Sequence, residues 1–198
     1  TKEELRAIGE WAVEHGILIV ADDIYGRLVY NGNHFTPMAS ISKAIRKNTL
    51  VINGVSKTYS MTGWRIGFAI GNKEITSQST SNPTAASQYA ALEALTGEQD
   101  SVEEMRLAFE DRLNKLYPLV AAIPGVKLTK PQGAFYLFPN VAGTMALCGY
   151  DNVTTFVNDL LEEAHVATVT GAGFGSPENL RISYAADWDT LEEAVKRI

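Results

Sequence analysis

Apolar positions change their spacing along this chain. In "TKEELRAIGEWAVEHG", residues 1–16, Leu5, Ile8 and Ala12 recur on one helical face. Thr1 followed three residues later by Glu4 forms a capping box, and Gly16 suits the position after a helix end. "ILIVA" (17–21) and "TLVIN" (49–53) are unbroken apolar runs. Such runs mark strands buried on both faces of a parallel sheet. "IGFAIG" (66–71) carries the same pattern. "NPTAASQYAALEALTG" (82–97) predicts a helix that ends at Gly97, with Pro83 near its start. Helix and strand alternate through this half, which argues for an α/β layer.

Beyond residue 97 the texture changes. "EQDSVEEMRLAFEDRLNKLYPLV" (98–120) predicts a long amphipathic helix with Met105, Phe109, Leu113 and Leu116 on one stripe. Pro124-Gly125 marks a turn. "VKLTK" and "AFYLF" read as short strands of the kind that pair antiparallel, followed by a helix over "DNVTTFVNDLLEEAH". "VATVT" and "LRISYA" read as further strands, and "WDTLEEAVKRI" closes as a helix. The expected organisation is a mostly parallel α/β part over 1–97, then a small α+β domain over 98–198.

The chain has 198 residues, is 45% hydrophobic and 20% charged, and carries a net charge of −6. That size and balance allow a sizeable core. The negative charge and the lack of a basic cluster disfavour nucleic-acid or anionic-membrane partners. His15, His34 and His165 share no metal-ligand spacing. Cys148 is the sole cysteine, which points to a reduced, cytoplasmic setting and to packing rather than reactivity. No apolar stretch is long enough to span a bilayer, and no signal peptide is visible. Beginning on a helix cap at Thr1, the chain reads as a piece of something longer.

Candidate chemistry gathers after two of the apolar runs. In "ADDIYGRLVY" Asp22, Asp23 and Tyr25 follow the first, and ligands of open α/β sheets bind outside the carboxyl ends of strands. Turn capping by Asp22 or Asp23, with Tyr25 as rim packing, is the alternative. Lys57, in "VINGVSKTYSMTGWRIGFAIG", follows the second run. If the two strands are neighbours, Asp22, Tyr25 and Lys57 converge on one crevice. A lysine amine becomes nucleophilic when desolvation or a nearby cation lowers its pKa, and Arg65 is a candidate for that cation. A surface lysine and a surface salt bridge are the alternative. Arg181, in "NLRISYA", can bind a carboxylate through its two-pronged donor set, or can be an exposed strand arginine. The Gly-rich "TGAGFGSPEN" (170–179) is neither a Walker loop nor a dinucleotide fingerprint, and reads as a mobile loop.

Pyridoxal phosphate uses all of these groups. It needs a lysine for a Schiff base, an acid at its ring nitrogen, a donor at its phenolic oxygen and a cation at its phosphate. An amino-acid substrate adds a carboxylate. Lys57, Asp22, Tyr25, Arg65 and Arg181 can fill those five roles in turn.

The chain resembles the fold-type I, class I/II aminotransferases, close to the bacterial aspartate aminotransferase branch. The matching stretches are "TKEELRAIGEWAVEHGILIVADDIYGRLVY", "NGVSKTYSMTGWRIGFAIG", "STSNPTAASQYAALEAL", "KPQGAFYLF" and "GAGFGSPENLRISYA". The Lys57 segment is the most specific, and the interval of 35 residues from Asp22 to Lys57 fits the family. The resemblance implies that Lys57 carries the cofactor and shuttles the substrate's proton. It implies that Asp22 pairs with the pyridine nitrogen, Tyr25 bonds the 3′-oxygen, Arg65 binds the phosphate and Arg181 binds the substrate α-carboxylate. Gly133 and Phe135 would line the substrate side. The family often has a serine three residues before the lysine; here that place is Gly54, and Ser56 directly precedes Lys57.

The resemblance also implies a homodimer acting on amino-acid and 2-oxo-acid substrates, with "QSTSNPT" (78–84) near the partner's site. The family's phosphate loop, ring-stacking aromatic and 3′-oxygen asparagine have no counterpart here. The chain therefore looks like the C-terminal part of the large domain followed by the small C-terminal domain. Alone it is expected to bind the cofactor weakly or not at all and to lack transaminase activity. A pyridoxal phosphate lyase or decarboxylase of the same fold, and a non-catalytic module, are the competing readings.

Overall fold

The structure, a computed structural model, describes residues 1–73 and 82–198. It divides into two compact units, Thr1–Arg106 and Leu107–Ile198.

The first unit opens with α1 (Lys2–Glu14), held at its start by the expected capping box. The Glu4 N–H donates to Thr1 Oγ1 at 3.3 Å, and Thr1 Oγ1 donates to the Glu4 carboxylate at 2.8 Å. Strand β1 (Ile19–Asp22) pairs in parallel with β2 (Thr49–Gly54), Ile19 opposite Thr49 and Asp22 opposite Ile52. Between them lies α2 (Lys43–Lys47), whose Ser42 cap accepts from the Ile45 N–H at 3.2 Å. Nothing in the apolar periodicity announces this five-residue helix; Ser42 is its only local signal. Met38, Ile41 and Ile45 are buried against Leu5, Ile19 and Ala21, so α1 and α2 cover one face of β1.

Strand β3 (Gly67–Ile70) joins the other side of β2, antiparallel. The sheet order is β1-β2-β3, with one parallel and one antiparallel pairing. This corrects the expectation that 66–71 belongs to a mostly parallel sheet. The stretch from Val55 to Ile66 holds only turns and a 3-10 turn at Thr62–Trp64, with no crossover helix to carry the chain back. The runs are also not buried on both faces, since Val20 is 62% and Ile70 61% exposed. Helices α3 (Ala85–Thr96) and α4 (Asp100–Ala121) follow. Ala91 of α3 packs with Val55 and Ile66 in a second small core, which Tyr59 and Met61 border.

In the second unit the rest of α4 buries Phe109, Leu113, Leu116 and Val120, the apolar stripe of that helix. An antiparallel sheet in the order β4-β6-β5 is built from β4 (Tyr136–Leu137), β5 (Val169–Thr170) and β6 (Leu180–Ser183). Helices α5 (Ala142–Cys148), α6 (Val153–Glu162) and α7 (Trp188–Arg197) complete it. Val141, Met145, Val153, Phe156, Leu160 and Leu180 form its core. "VKLTK" forms no strand: only a bridge from Lys127 to Asn140 remains of that expectation. Cys148, expected to pack, is exposed at the end of α5, where Gly149 turns the chain away in a left-handed conformation. Among the described residues no helix is long and apolar enough to cross a membrane.

Gly54 closes β2 opposite Gly67 because no side chain fits there. A Cβ on Gly54 would lie 2.7 Å from the Ile66 carbonyl oxygen and 3.1 Å from the Gly67 Cα. Both obstacles are backbone, so Gly54→Ser is expected to destabilise the chain by about 1–3 kcal/mol. Urea denaturation checks this, and an unchanged midpoint would contradict it.

Candidate active site

Parallel pairing brings the carboxyl ends of β1 and β2 to the same edge of the sheet. Asp22 is the last residue of β1, and its Oδ1 accepts from the Ile24 N–H at 3.2 Å. Asp22 therefore does cap the following turn, as one of the two sequence readings has it. The Asp23 N–H donates to the Ile52 carbonyl at 2.9 Å. Two further turn bonds, Gly26 N–H to Asp23 and Leu28 N–H to Tyr25, fold the segment back. Leu28 and Tyr30 are fully buried and anchor it, which fixes where Tyr25 stands.

Lys57 sits three residues past β2, between the buried Val55 and Thr58. The bonds Tyr59 N–H to Val55 (3.3 Å) and Ser60 N–H to Lys57 (3.3 Å) close this stretch into tight turns. Lys57 is half-buried, and its Nζ lies 5.9 Å from the centroid of the Tyr25 ring. Within that distance a cation and a ring face attract electrostatically. The amine and the phenol are thus brought together, although 57 and 25 are far apart in the chain.

Arg65 adopts a left-handed backbone (φ 54°) and is exposed, its Nη1 donating to the Thr62 carbonyl at 3.2 Å. Its neighbour Ile66 accepts from the Val55 N–H at 3.4 Å, so Arg65 stands at the same end of β2 as Lys57. Asp22 and Asp23 wall a cavity of about 370 Å³ together with Val20, His34 and Phe35; Lys57 and Tyr25 do not line it. Asp22 thus shares the strand end with Lys57 without sharing that enclosure. Asp23, half-buried beside Asp22, has its carboxyl held above the usual carboxylate range, first by desolvation and then by the Asp22 charge.

In the second unit Arg181 lies on β6 opposite Val169. Its guanidinium stacks over two rings, 4.5 Å from the Tyr136 centroid and 4.9 Å from that of Phe174. Arg181 is half-buried, not a plain exposed strand arginine. Phe174 is delivered by a 3-10 turn over Gly171–Phe174, so the Gly-rich segment begins as ordered turn structure rather than as a loose loop. Phe135 stacks on Phe109 at 5.4 Å, next to the half-buried Gly133. Of "QSTSNPT", residues 78–81 lie outside the described residues. Tyr136 and Phe174 carry no linear motif that marks them as partners of Arg181; the pairing of β4 with β6 brings Tyr136 there, and the 3-10 turn brings Phe174.

The parallel strand pair thus ends beside a carboxylate, a phenol and a primary amine. Residues 1–198 match the family described as aminotransferase class I and II, and the chain belongs to that family. It is 62% identical, over all of its length and 52% of the relative, to an asparagine–oxo-acid transaminase of Streptococcus mutans. It is 54% identical, at the same coverage, to an aspartate aminotransferase of Bacillus sp. YM-2. Among solved structures it superposes on the aspartate aminotransferase of Rhizobium meliloti with a TM-score of 0.88 and 37% identity, covering 100% of this chain and 52% of that one. An aromatic aminotransferase from Pyrococcus horikoshii gives 0.89 and 34%, covering 100% and 54%. The chain spans about half the length of the curated relatives it matches.

The raised Asp23 pKa has a definite consequence. Between the unfolded and the folded pKa the native state binds more protons than the unfolded one, so stability falls as pH rises through that window. Asp23→Asn removes this titration. Denaturant unfolding at a series of pH values is expected to show a flatter decline just above the ordinary carboxylate range. An identical pH slope in both proteins would contradict the assignment.

Proposed function

We propose that the protein to which this chain belongs is a pyridoxal phosphate-dependent aminotransferase, acting between an amino acid and a 2-oxo acid. The 5.9 Å approach of the Lys57 amine to the Tyr25 ring, at the strand end that also carries Asp22, is the observation that carries the reading. Relatives named for aspartate and asparagine, at 54% and 62% identity, favour a four-carbon amino-acid substrate.

The donor set fits the cofactor's needs. Lys57 would hold its carbonyl carbon, Asp22 its ring nitrogen, Tyr25 its phenolic oxygen and Arg65 its phosphate. When bound, pyridoxal phosphate supplies an electron sink for the substrate's α-carbon. Everything else falls to the chain. The Lys57 amine takes the proton from the α-carbon and returns it. The Asp22 carboxylate, which has lone pairs beyond the one facing Ile24, holds a proton in place opposite it. The Tyr25 hydroxyl supplies a hydrogen bond beside the amine. The Arg181 guanidinium, held over the Tyr136 and Phe174 rings, binds the substrate α-carboxylate. Gly133 and Phe135 border the substrate.

The order of the matching stretches supports reading the chain as the C-terminal portion of such a protein. On that reading the first unit is the tail of the large cofactor-binding domain and the second the small domain. A cytoplasmic homodimer is the expected assembly.

In the full-length protein that contains this chain, Lys57→Ala is expected to lower kcat for aspartate with 2-oxoglutarate by about a thousandfold or more, with folding retained. The chain alone is expected to show no turnover. Residual turnover near the wild-type level in Lys57→Ala would refute the lysine's role. Elimination or decarboxylation products in place of a new amino acid would assign the same residues to another reaction.

A further inference from the structure

A side chain with no apparent part in the chemistry joins the two loops that carry it. Gln99 immediately precedes α4, and its backbone carbonyl accepts from the Val102 and Glu103 N–H groups at 3.0 and 3.3 Å. Its base is therefore fixed to the first turn of a 22-residue helix. Its side-chain oxygen accepts two hydrogen bonds, from Arg27 Nη2 at 3.3 Å and from the Tyr59 hydroxyl at 3.2 Å. Arg27 is two residues beyond Tyr25, and Tyr59 two residues beyond Lys57. Its amide nitrogen donates to the carbonyls of Ala94 (3.0 Å) and Gly97 (2.9 Å), which fastens the connection between α3 and α4. The carbonyls on one side and the donors on the other dictate the amide's orientation.

Two more bonds from α4 repeat the arrangement. Arg106, held by Glu103 through bonds of 2.8 and 2.7 Å, donates to the Val29 carbonyl at 3.2 Å on the Tyr25 side. Ser60, on the Lys57 side, donates to Met105 Sδ at 3.0 Å. The start of α4 thus grips both loops, and Gln99 touches both with one atom.

We propose that Gln99 is a positioning residue: by bonding Arg27 and Tyr59 through one oxygen, it sets the separation of Tyr25 and Lys57. A lysine in a loop with several rotatable bonds otherwise samples many positions, and the order imposed by a shared acceptor is what places an amine near one ring. The inference rests on the assignment of Lys57 as the reactive amine, but its test does not.

The test is competitive acetylation of the folded chain with trace acetic anhydride, read at each lysine by mass spectrometry. Gln99→Ala is expected to raise the Lys57 rate by about threefold or more relative to Lys2 and Lys127, because coupled neighbours lose their mutual restraint. Gln99→Glu keeps the acceptor for Arg27 and Tyr59 but loses the donor to the Ala94 and Gly97 carbonyls, and is expected to give a Lys57 rate between those of wild type and Gln99→Ala. Should Gln99→Ala fail to fold, Tyr59→Phe carries the test, since it deletes one donor and leaves the ring; a smaller rise in the same direction is expected. A Lys57 rate that is unchanged in the folded variants, or is as high in Gln99→Glu as in Gln99→Ala, overturns the proposal. Separately, treating the full-length protein with pyridoxal phosphate and borohydride shows which lysine takes the cofactor. Labelling elsewhere than Lys57 sinks the proposed function and leaves the acetylation comparison standing.

Discussion

The register between β1 and β2 is the constraint on which the site depends. Ile19 faces Thr49 and Asp22 faces Ile52, so the chain leaves both strands at one edge. Side chains alternate along a strand, and a slip of one residue would turn every one to the other face. Ile19 and Ala21 pack on Met38, Ile41 and Ile45, which pins the register, because a shifted β1 would put Val20 and Asp22 into that core. Burying an unpaired carboxylate there would cost several kcal/mol, on the order of the net stability of a domain. The apolar packing of α1 and α2 thus decides where Asp22 and, through β2, Lys57 emerge.

The two units handle charged groups in different ways. In the first, polar side chains work through loops: Asp22 ties its own turn, and Gln99 ties two turns to a helix. In the second, Arg181 is set on a strand between aromatic rings. A guanidinium is weakly hydrated and planar, so contact with ring faces helps to order it. A strand-mounted arginine ordered in this way has few positions to choose from.

Much of this was legible in the chain, and what was missed has physical causes. The capping box at Thr1 and Glu4, the apolar runs and the α4 stripe are local signals, and each produced its element. The direction of β3 was not legible from its composition, because Gly67–Ile70 reads the same in either sense. The connection before it carried the clue: Val55 to Ile66 has turn residues and no helical period. Exposure of Val20 and Ile70 was hidden for a related reason, since an apolar run reports what a strand is suited to pack against, not what this chain places there. Lys57, Tyr25 and Asp22 stood out because they follow apolar runs at strand ends. Gln99 did not, since it lies 72 residues from Arg27 and 40 from Tyr59, and a glutamine before a helix looks like any other.

The meeting of Lys57 and Tyr25 is the claim on which the functional reading stands. Nuclear Overhauser spectroscopy of the isotope-labelled chain tests it directly. Cross-peaks between the Lys57 side-chain methylenes and the Tyr25 ring protons, with those methylenes shifted upfield by the ring current, are the predicted result. Lys57 methylenes at random-coil shifts, with no cross-peak to that ring, would contradict it.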